Sequence, residues 1–320
     1  MTLAGLVERA REGNKHAIAQ LVGVFEDTRP GSPGRRREVL DRLASGGPTP
    51  VEPGTIIGLT GTPGAGKSSL VARVVPRLLT LDPSLRVAVL AIDPASQASG
   101  GALLGDRTRT RFGGDERAYF RSQSNAAELG GLAPTTFQVT RLLQHLFDLV
   151  IVETVGIGQS ELDVRFLADH VYLVLQPLGG DEIQFLKAGI IEVPDSFVLN
   201  KCDDPAASTS YYQLRSALSL ARPFDEEVPA ILRTSARTGE GIDPLCSAML
   251  AVVGAPPRHP RNERDDYFFK RWISDEWGAT GRRYAASLGG PEEILAGRGD
   301  LDGAQAWFAS SIVAWLAQQS

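Results

Sequence analysis

Residues 61–68 read Gly61-Thr62-Pro63-Gly64-Ala65-Gly66-Lys67-Ser68 and directly follow an apolar run over residues 55–60. The spacing is typical of a phosphate-binding loop, in which a glycine and four variable residues precede Gly-Lys-Ser. Glycines let backbone N–H groups turn inward around phosphate oxygens, where a Cβ atom would intrude. The stretch therefore predicts a strand, a loop that binds a nucleoside triphosphate, and a helix over residues 69–79.

Two side chains of this loop have predicted roles. The charge of Lys67 is expected on the β- and γ-phosphates, and the hydroxyl of Ser68 is expected to ligate Mg²⁺. We expect contacts to the nucleotide from the whole loop: Gly61, Thr62, Pro63, Gly64, Ala65, Gly66, Lys67, Ser68 and Ser69. An ordinary glycine-rich turn before a helix is the alternative, and the preceding strand, the spacing, the lysine and the serine all favour phosphate binding.

Composition restricts the class of protein. The chain has 320 residues and 42% hydrophobic content, which suits one large α/β domain with helical extensions. A formal charge of −5 argues against a general affinity for nucleic acid or anionic membranes. No run approaches the roughly 20 apolar residues of a membrane span, and the charged N-terminus lacks a secretory segment, so the sequence predicts a cytoplasmic protein.

Cysteine, histidine and arginine carry little functional signal in this chain. Two cysteines imply no disulfide framework, and the four histidines are too dispersed to predict a metal-ligand cluster. The basic run Arg35-Arg36-Arg37 is interpreted as a solvated helix face.

The pattern along the chain predicts three segments. Residues 1–53 are expected to form a helical N-terminal region and linker, residues 54–255 a nucleotide-binding domain, and residues 256–320 a helical C-terminal segment. Short β-rich runs alternate with helices in the middle segment, which predicts a mainly parallel, doubly wound sheet of the phosphate-loop NTPase type. The predicted strands are 56–60, 86–92, 118–121, 149–153, 171–175, 196–199 and 229–232.

Acidic residues follow two of these strands. In doubly wound sheets the ligand lies at the carboxyl ends of the strands. Asp93 and, from the next loop, Asp106 could therefore approach the metal ion, although a turn at Asp93 and a helix cap at Asp106 remain open. Glu153 ends an apolar strand and precedes Gly156, an arrangement in which the acid senses Mg²⁺ and the glycine N–H approaches the γ-phosphate.

Two later loops complete the candidate site. Asp181, Gln184 and Lys187 follow two glycines, and their spacing fits a nucleotide-responsive loop and a solvated capping turn equally well. Asn200-Lys201-Cys202-Asp203 follows a late strand, and a carboxylate at Asp203 can accept hydrogen bonds from guanine N1–H and the 2-amino group, whereas adenine presents an acceptor at N1. Ser235 and Ala236 fit a second base-binding loop, so the predicted base is guanine.

Together these residues resemble the methylmalonyl-CoA mutase-associated GTPases, the MeaB/ArgK family of G-protein chaperones. The resemblance covers roughly residues 1–255 and rests on the motifs already quoted, together with Leu104-Gly105-Asp106, Gly180-Asp181-Glu182 and Lys187-Ala188-Gly189-Ile190. It implies GTP hydrolysis coupled to loading and protection of an adenosylcobalamin-dependent acyl-CoA mutase, with adenosylcobalamin belonging to that client. It also implies a homodimer that uses the C-terminal segment.

The resemblance assigns roles residue by residue. Lys67 would hold phosphate, and Ser68, Asp93, Asp106 and Glu153 would surround Mg²⁺. The loop that contains Asp181, Gln184 and Lys187 would relay the nucleotide state to the mutase. Three alternatives are a GTPase for nickel insertion, which needs thiol or imidazole ligands, a kinase or transport ATPase, which Asp203 opposes, and an interaction module whose nucleotide site is structural.

Overall fold

The computed structural model describes residues 2–29, 31–45, 52–94, 114–125, 132, 134–154, 161–177, 194–221, 229–257 and 260–319. The elements in chain order are α1 (Leu3–Arg11), α2 (Lys15–Glu26), α3 (Ser32–Ser45), β1 (Thr55–Gly61), α4 (Lys67–Leu81), β2 (Val87–Pro94), β3 (Ala118–Asn125), α5 (Pro134–Leu143), β4 (Leu149–Glu153), α6 (Glu161–Leu167), β5 (His170–Leu175), β6 (Ser196–Leu199), α7 (Ala207–Ala221), β7 (Ile231–Arg233), α8 (Ile242–Val252), α9 (Arg261–Ser287), α10 (Pro291–Ala296) and α11 (Leu301–Gln319).

These elements group into two compact units. The sheet unit comprises Pro53–Ala133 and Leu146–Arg258, and the helical unit comprises Met1–Glu52, Pro134–His145 and His259–Ser320. The first and last segments expected from the sequence thus lie almost entirely in the helical unit. Helix α5 also belongs to it, although the chain passes through α5 between β3 and β4. The division into three consecutive domains stays a prediction.

The sheet unit contains seven parallel strands in the order β3-β2-β4-β1-β5-β6-β7. All seven predicted strands and the predicted parallel sheet are confirmed. Strands β1 and β4 are apolar along almost their whole length and buried at every residue, as a sheet covered on both faces requires. Because the strands are parallel, β1 and β4 end at the same edge, where Leu59 pairs with Glu153.

Helices cover both faces of this sheet. On one face, buried side chains of α4 and α8 pack with Ile57 and Leu59 of β1 in a single cluster. Successive strand residues point to opposite faces, and Gly58 accordingly faces α6, where an added Cβ would lie 2.6 Å from Val164 Cγ1. Leu214 of α7 packs on β5 and β6 in a second cluster. Each fully buried leucine or valine contributes about 1.5–3 kcal/mol.

The helical unit is joined by buried charges. Arg36 of α3 donates from Nε to Asp302 Oδ1 at 2.8 Å and from Nη2 to Gln305 Oε1 at 2.8 Å. Arg141 of α5 donates from Nη1 to Asp302 Oδ2 at 2.8 Å. The solvated-face interpretation of the arginine run is therefore wrong for Arg36, which is 5% exposed. An arginine can be buried when an equally buried carboxylate neutralises it.

The last helix buries one apolar face. Leu301, Ala304, Phe308 and Ile312 of α11 are buried, and the ring of Trp315 stacks on Tyr284 of α9 at 5.0 Å. Helix α9 is interrupted at Gly278, which has φ 55° and ψ −141°. None of the helices that the structure describes combines the length and apolar character needed to cross a bilayer.

Candidate functional site

The predicted phosphate loop links β1 to α4. Gly61 has φ 150°, and an added Cβ would lie 2.0 Å from the backbone oxygen of Val174 in β5. Gly66 has φ 87° and caps α4, and an added Cβ there would lie 2.6 Å from Asn200 Nδ2. Both positions need glycine because the backbone is left-handed or crowded by a neighbour. Helix α4 begins at Lys67, two residues earlier than predicted.

This early start places Lys67 and Ser68 in the first helical turn. The N–H groups of a first turn have no partner within the helix and carry the positive end of the helix dipole. They therefore form a favourable position for an anion such as a phosphate. The sequence located the loop correctly but not the helix start, since a left-handed glycine cap is not distinguishable from an ordinary loop glycine by its letter.

The side chain of Lys67 is held against the loop. Its Nζ donates to the backbone oxygens of Gly61 at 2.7 Å and Thr62 at 3.1 Å, and the residue is 7% exposed. Burial lowers the pKa of Lys67, and the nearby Glu153 carboxylate opposes that shift. The ammonium group thus lies at the loop with its hydrogen bonds directed to carbonyls that phosphate oxygens can replace.

The structure brings Ser68 and Glu153 together, and their role as metal ligands stays a prediction. The Ser68 hydroxyl donates to Glu153 Oε1 at 2.5 Å, and Glu153 is 6% exposed at the end of β4. A hydroxyl and a carboxylate are hard oxygen donors of the kind that Mg²⁺ prefers, so this pair fits that ion. The hydroxyl of the next residue, Thr154, donates to Thr60 Oγ1 at 3.1 Å, which fixes the ends of β4 and β1 to each other.

The remaining predicted metal ligands are placed only in part. Asp93 lies near the end of β2, and the pairing of Ala91 with Glu153 puts Asp93 two residues further toward the carboxyl edge than Glu153. Five other predicted residues lie outside the described residues: Asp106, Gly156, Asp181, Gln184 and Lys187.

Asn200 connects the phosphate loop to the loops that the sequence predicts to bind the base. Its Nδ2 donates to the backbone oxygen of Ala65 at 2.8 Å. Its Oδ1 accepts from Thr234 Oγ1 at 3.3 Å and from the backbone N–H of Ala236 at 3.2 Å. The side chain is 1% exposed, so these bonds are shielded from water. Asn200 therefore links three segments: the phosphate loop, the loop that follows β7 and its own loop after β6.

The carboxylate of Asp203 lies in a polar setting at the other end of the site. Ser235 Oγ donates to its Oδ1 at 2.5 Å, and the Arg237 guanidinium forms an ion pair with its Oδ2. Hydrogen bonding from Ser235 has the largest effect and lowers the pKa of Asp203; burial, the next largest effect, opposes it, and a backbone hydrogen bond and the interactions with Arg237 add to the lowering. The side chain is therefore ionised at neutral pH, and it is 18% exposed.

Lys201 has an unusual backbone. Its φ is 58°, and within the described ranges it is the only non-glycine residue with positive φ. Its Nζ donates to Gln176 Oε1 at 2.5 Å. A non-glycine residue in the left-handed region is uncommon and often marks a functional position.

Sequence reasoning missed two arginines that join α4 to other parts of the sheet unit. Arg73 of α4 donates to the backbone oxygens of Ala236 and Arg237, and Arg77 donates to both carboxylate oxygens of Asp243 in α8. The two arginines are four residues apart and so share a helix face. That spacing was visible in the sequence, but backbone carbonyl partners leave no signature.

Known proteins share both sequence and fold with this chain. It is 35% identical to GTPase ArgK of Escherichia coli over 256 residues, which cover 78% of this chain and 75% of that protein. It is 41% identical over 199 residues to the Mus musculus methylmalonic aciduria type A homolog, mitochondrial, covering 60% of this chain and 48% of that protein. A solved structure described as LAO/AO transport system kinase matches with a TM-score of 0.64 at 24% identity and covers 99% of this chain and 98% of its own, which shows a shared fold.

The family description adds to these pairwise similarities. The family model described as methylmalonyl Co-A mutase-associated GTPase MeaB matches residues 18–263, which is most of the chain. With this match, with relatives named GTPases, and with a phosphate loop on a seven-stranded parallel sheet, the chain belongs to the MeaB family and is a GTPase with a phosphate-binding loop.

Proposed function

We propose that this chain is a Mg²⁺-dependent GTPase whose nucleotide cycle serves an adenosylcobalamin-dependent acyl-CoA mutase. The observation that carries the guanine part is the position of Asp203, which is ionised and oriented by Ser235 in a loop that Asn200 ties to the phosphate loop. A carboxylate so placed accepts from N1–H and the 2-amino group of guanine. Adenine would direct a lone pair at the same oxygens.

Further contacts complete the proposed nucleotide site. The aliphatic stem of Lys201 would lie along the guanine ring, and the loop that contains Ser235 and Ala236 would approach guanine O6 through a backbone N–H. Residues 61–69 would surround the phosphates, with the N–H groups of the first turn of α4 directed at their oxygens. Gly156 is proposed to approach the γ-phosphate through its N–H.

The proposed metal site uses oxygen donors at the carboxyl edge of the sheet. Ser68 would ligate Mg²⁺ directly, with Glu153, Asp93 and Asp106 around it. When bound, the ion would offset charge that develops on the phosphate oxygens during hydrolysis. The hydrogen bond of 2.5 Å from Ser68 to Glu153 brings two oxygen donors together at this edge of the sheet.

The hydrolytic step is proposed as attack of water in line with the bond between the β- and γ-phosphates. Lys67 would move its hydrogen bonds from the backbone oxygens of Gly61 and Thr62 to phosphate oxygens and stabilise the charge there. Asp93, Asp106, Glu153 and Lys187 are the other proposed catalytic residues. Without an assigned arginine finger, we expect unassisted turnover on the order of 10⁻⁴ to 10⁻² s⁻¹.

The client is proposed from the names of the relatives. The family description contains methylmalonyl Co-A mutase, and the mouse relative is named for methylmalonic aciduria. The proposed role is to support loading of adenosylcobalamin into the mutase and to protect the loaded enzyme. The loop with Asp181, Gln184 and Lys187 would transmit the nucleotide state, and residues 256–320 would contribute to a homodimer.

Nucleotide titrations and a binding assay test this function separately. Purified protein should bind GDP far more tightly than ADP, hydrolyse GTP only with Mg²⁺, and capture methylmalonyl-CoA mutase differently with GDP and with a non-hydrolysable GTP analogue. Equal affinity for ADP would overturn the guanine assignment. Capture that ignores the nucleotide would overturn the chaperone cycle while leaving the GTPase intact.

The nickel-insertion alternative gains nothing from the structure. Among the described residues, no group of three or more histidine, cysteine, aspartate or glutamate side chains is positioned to hold a metal ion. A titration with Ni²⁺ that showed a tight site would reopen it.

A further inference from the structure

Arg73 connects the helix that follows the phosphate loop to the loop that supports Asp203. It lies on α4, and its guanidinium donates from Nε to the backbone oxygen of Ala236 at 2.9 Å and from Nη2 to that of Arg237 at 3.2 Å. A planar guanidinium that donates to two successive carbonyls fixes the orientation of both peptide groups, which a single donor cannot do.

The peptide groups that Arg73 holds belong to residues that surround the Asp203 carboxylate. The side chain of Arg237 forms an ion pair with Asp203 Oδ2. The backbone N–H of Ala236 donates to Asn200 Oδ1 at 3.2 Å. A shift of this two-residue segment would therefore change the position of the Ala236 amide and the ion pair at Asp203 together.

The loop is also ordered internally around Ser235. Its hydroxyl accepts from the Thr238 backbone N–H at 3.1 Å while donating to Asp203 Oδ1 at 2.5 Å. Its backbone N–H donates to the Glu240 oxygen at 2.9 Å. These bonds give the loop its own shape, and the contacts of Arg73 fix that shape relative to α4, the helix whose first turn carries Lys67 and Ser68.

We propose that Arg73 is a positioning residue for guanine recognition, and this proposal rests on the assignment of the base to Asp203. By holding residues 236 and 237 against α4, Arg73 sets the distance from the Ala236 amide and the Asp203 carboxylate to the phosphate loop. Arg73 therefore contributes to binding of the base and not to binding of the phosphates. The affinity for a ligand that has phosphates and no base should not depend on Arg73.

The chain supplies a matched control one helical turn away. Arg77 lies on the same face of α4 and donates to Asp243 Oδ1 at 2.6 Å and Oδ2 at 2.7 Å. It joins α4 to α8 through two hydrogen bonds, as Arg73 joins α4 to residues 236 and 237. Replacement of either arginine by alanine removes a surface guanidinium and two hydrogen bonds. Only the Arg73 substitution removes the contacts between α4 and residues 236 and 237.

The experiment measures affinities for GDP, ADP and inorganic tripolyphosphate in four proteins: wild type, Arg73→Ala, Arg73→Lys and Arg77→Ala. We expect Arg73→Ala to weaken GDP binding by about tenfold, since two charge-assisted hydrogen bonds at an exposed site order the loop. Arg73→Lys, which keeps the charge and one donor, should lie between wild type and Arg73→Ala. Tripolyphosphate should bind all four proteins alike, and Arg77→Ala should bind GDP as wild type does.

Several results would overturn this role. They are unchanged GDP affinity in Arg73→Ala, an equal loss for tripolyphosphate, or the same GDP loss in Arg77→Ala. A wild-type protein that binds ADP as tightly as GDP would instead remove the assignment of guanine to Asp203 and, with it, the role of Arg73. The wild-type measurement therefore separates failure of the proposed function from failure of this inference alone. Thermal unfolding of all four proteins shows whether each variant is folded during titration.

Discussion

Replacing Asp203 with asparagine should exchange guanine for xanthine as the preferred base. In the wild type, Asp203 Oδ1 accepts from the Ser235 hydroxyl at 2.5 Å, and Oδ2 faces the Arg237 guanidinium. An asparagine oxygen would remain on Ser235, because that hydroxyl donates, and the new NH₂ group would occupy the position of Oδ2. The variant then directs a donor at the 2-position of the ring, where guanine also carries a donor and xanthine carries an acceptor.

The size of the effect follows from these two positions. A charge-assisted hydrogen bond at a partly exposed site changes affinity by about tenfold. The substitution can remove up to two such bonds to guanine and form up to two to xanthine. GTP should therefore bind roughly 10- to 100-fold more weakly, XTP roughly 10- to 100-fold more tightly, and the ratio of the two affinities should change by roughly 10²- to 10⁴-fold.

The assay is competition between GTP and XTP for a fluorescent guanine nucleotide, followed by hydrolysis of each. Asp204→Asn is the control, since Asp204 is the neighbouring exposed acid and accepts from the Ala206 N–H at 2.9 Å in a turn. The pKa of Asp203 is lowered from 3.8, chiefly by Ser235, so the carboxylate is ionised above that value and its contribution is lost only as pH falls through the lowered value. The wild-type preference should thus be constant between pH 5 and 8. An Asp203→Asn protein with the wild-type GTP-to-XTP ratio would refute the base assignment.

Three further outcomes are expected. Glu153→Gln keeps an acceptor for Ser68 but loses the charge, so the Mg²⁺ concentration needed for half-maximal hydrolysis should rise about 10- to 100-fold. Nucleotide binding in EDTA should be unchanged, and Glu116→Gln is the exposed control. An unchanged Mg²⁺ requirement would exclude Glu153 from the metal site. Burial lowers the pKa of Lys67, so its charge is lost as pH rises through a value below 10.5, and GDP affinity measured from pH 7 to 10 should fall on the alkaline side, whereas a flat profile would contradict the contact to phosphate. Asp302→Asn should destabilise the helical unit by about 3 kcal/mol because it leaves Arg36 buried without its counter-charge. Glu38→Gln, which removes an exposed partner of Arg42, should lower the free energy of unfolding by less than about 1 kcal/mol. Urea unfolding compares the two variants, and equal losses would show that Asp302 is not a structural ion-pair partner.

The parts of the structure that the sequence predicted are those with a local cause. Apolar runs became buried parallel strands, and the glycines before Lys67 formed a left-handed loop. Arg36 was misinterpreted because its partner Asp302 lies 266 positions away, and nothing near Arg36 in the sequence announces a buried carboxylate.

The residues of the candidate site could also be predicted only where the cause is local or follows from the strand arrangement. The acids at the strand ends were predictable because parallel strands bring their carboxyl ends to one edge. Arg73 was not, since its acceptors are backbone oxygens that every residue possesses. The left-handed backbone of Lys201 was also not predictable, because lysine has no preference for that conformation.

The bridging amide of Asn200 has a consequence for which ligands this protein can accept. Because Asn200 bonds the Ala65 oxygen on one side and the Ala236 amide on the other, we expect the protein to set the distance between the proposed base-binding loop and the phosphate loop. Nucleotide analogues with a longer or shorter sugar linker would have to break a buried hydrogen bond to reach both pockets. We therefore expect the protein to discriminate against nucleotide analogues whose sugar linker differs in length from ribose.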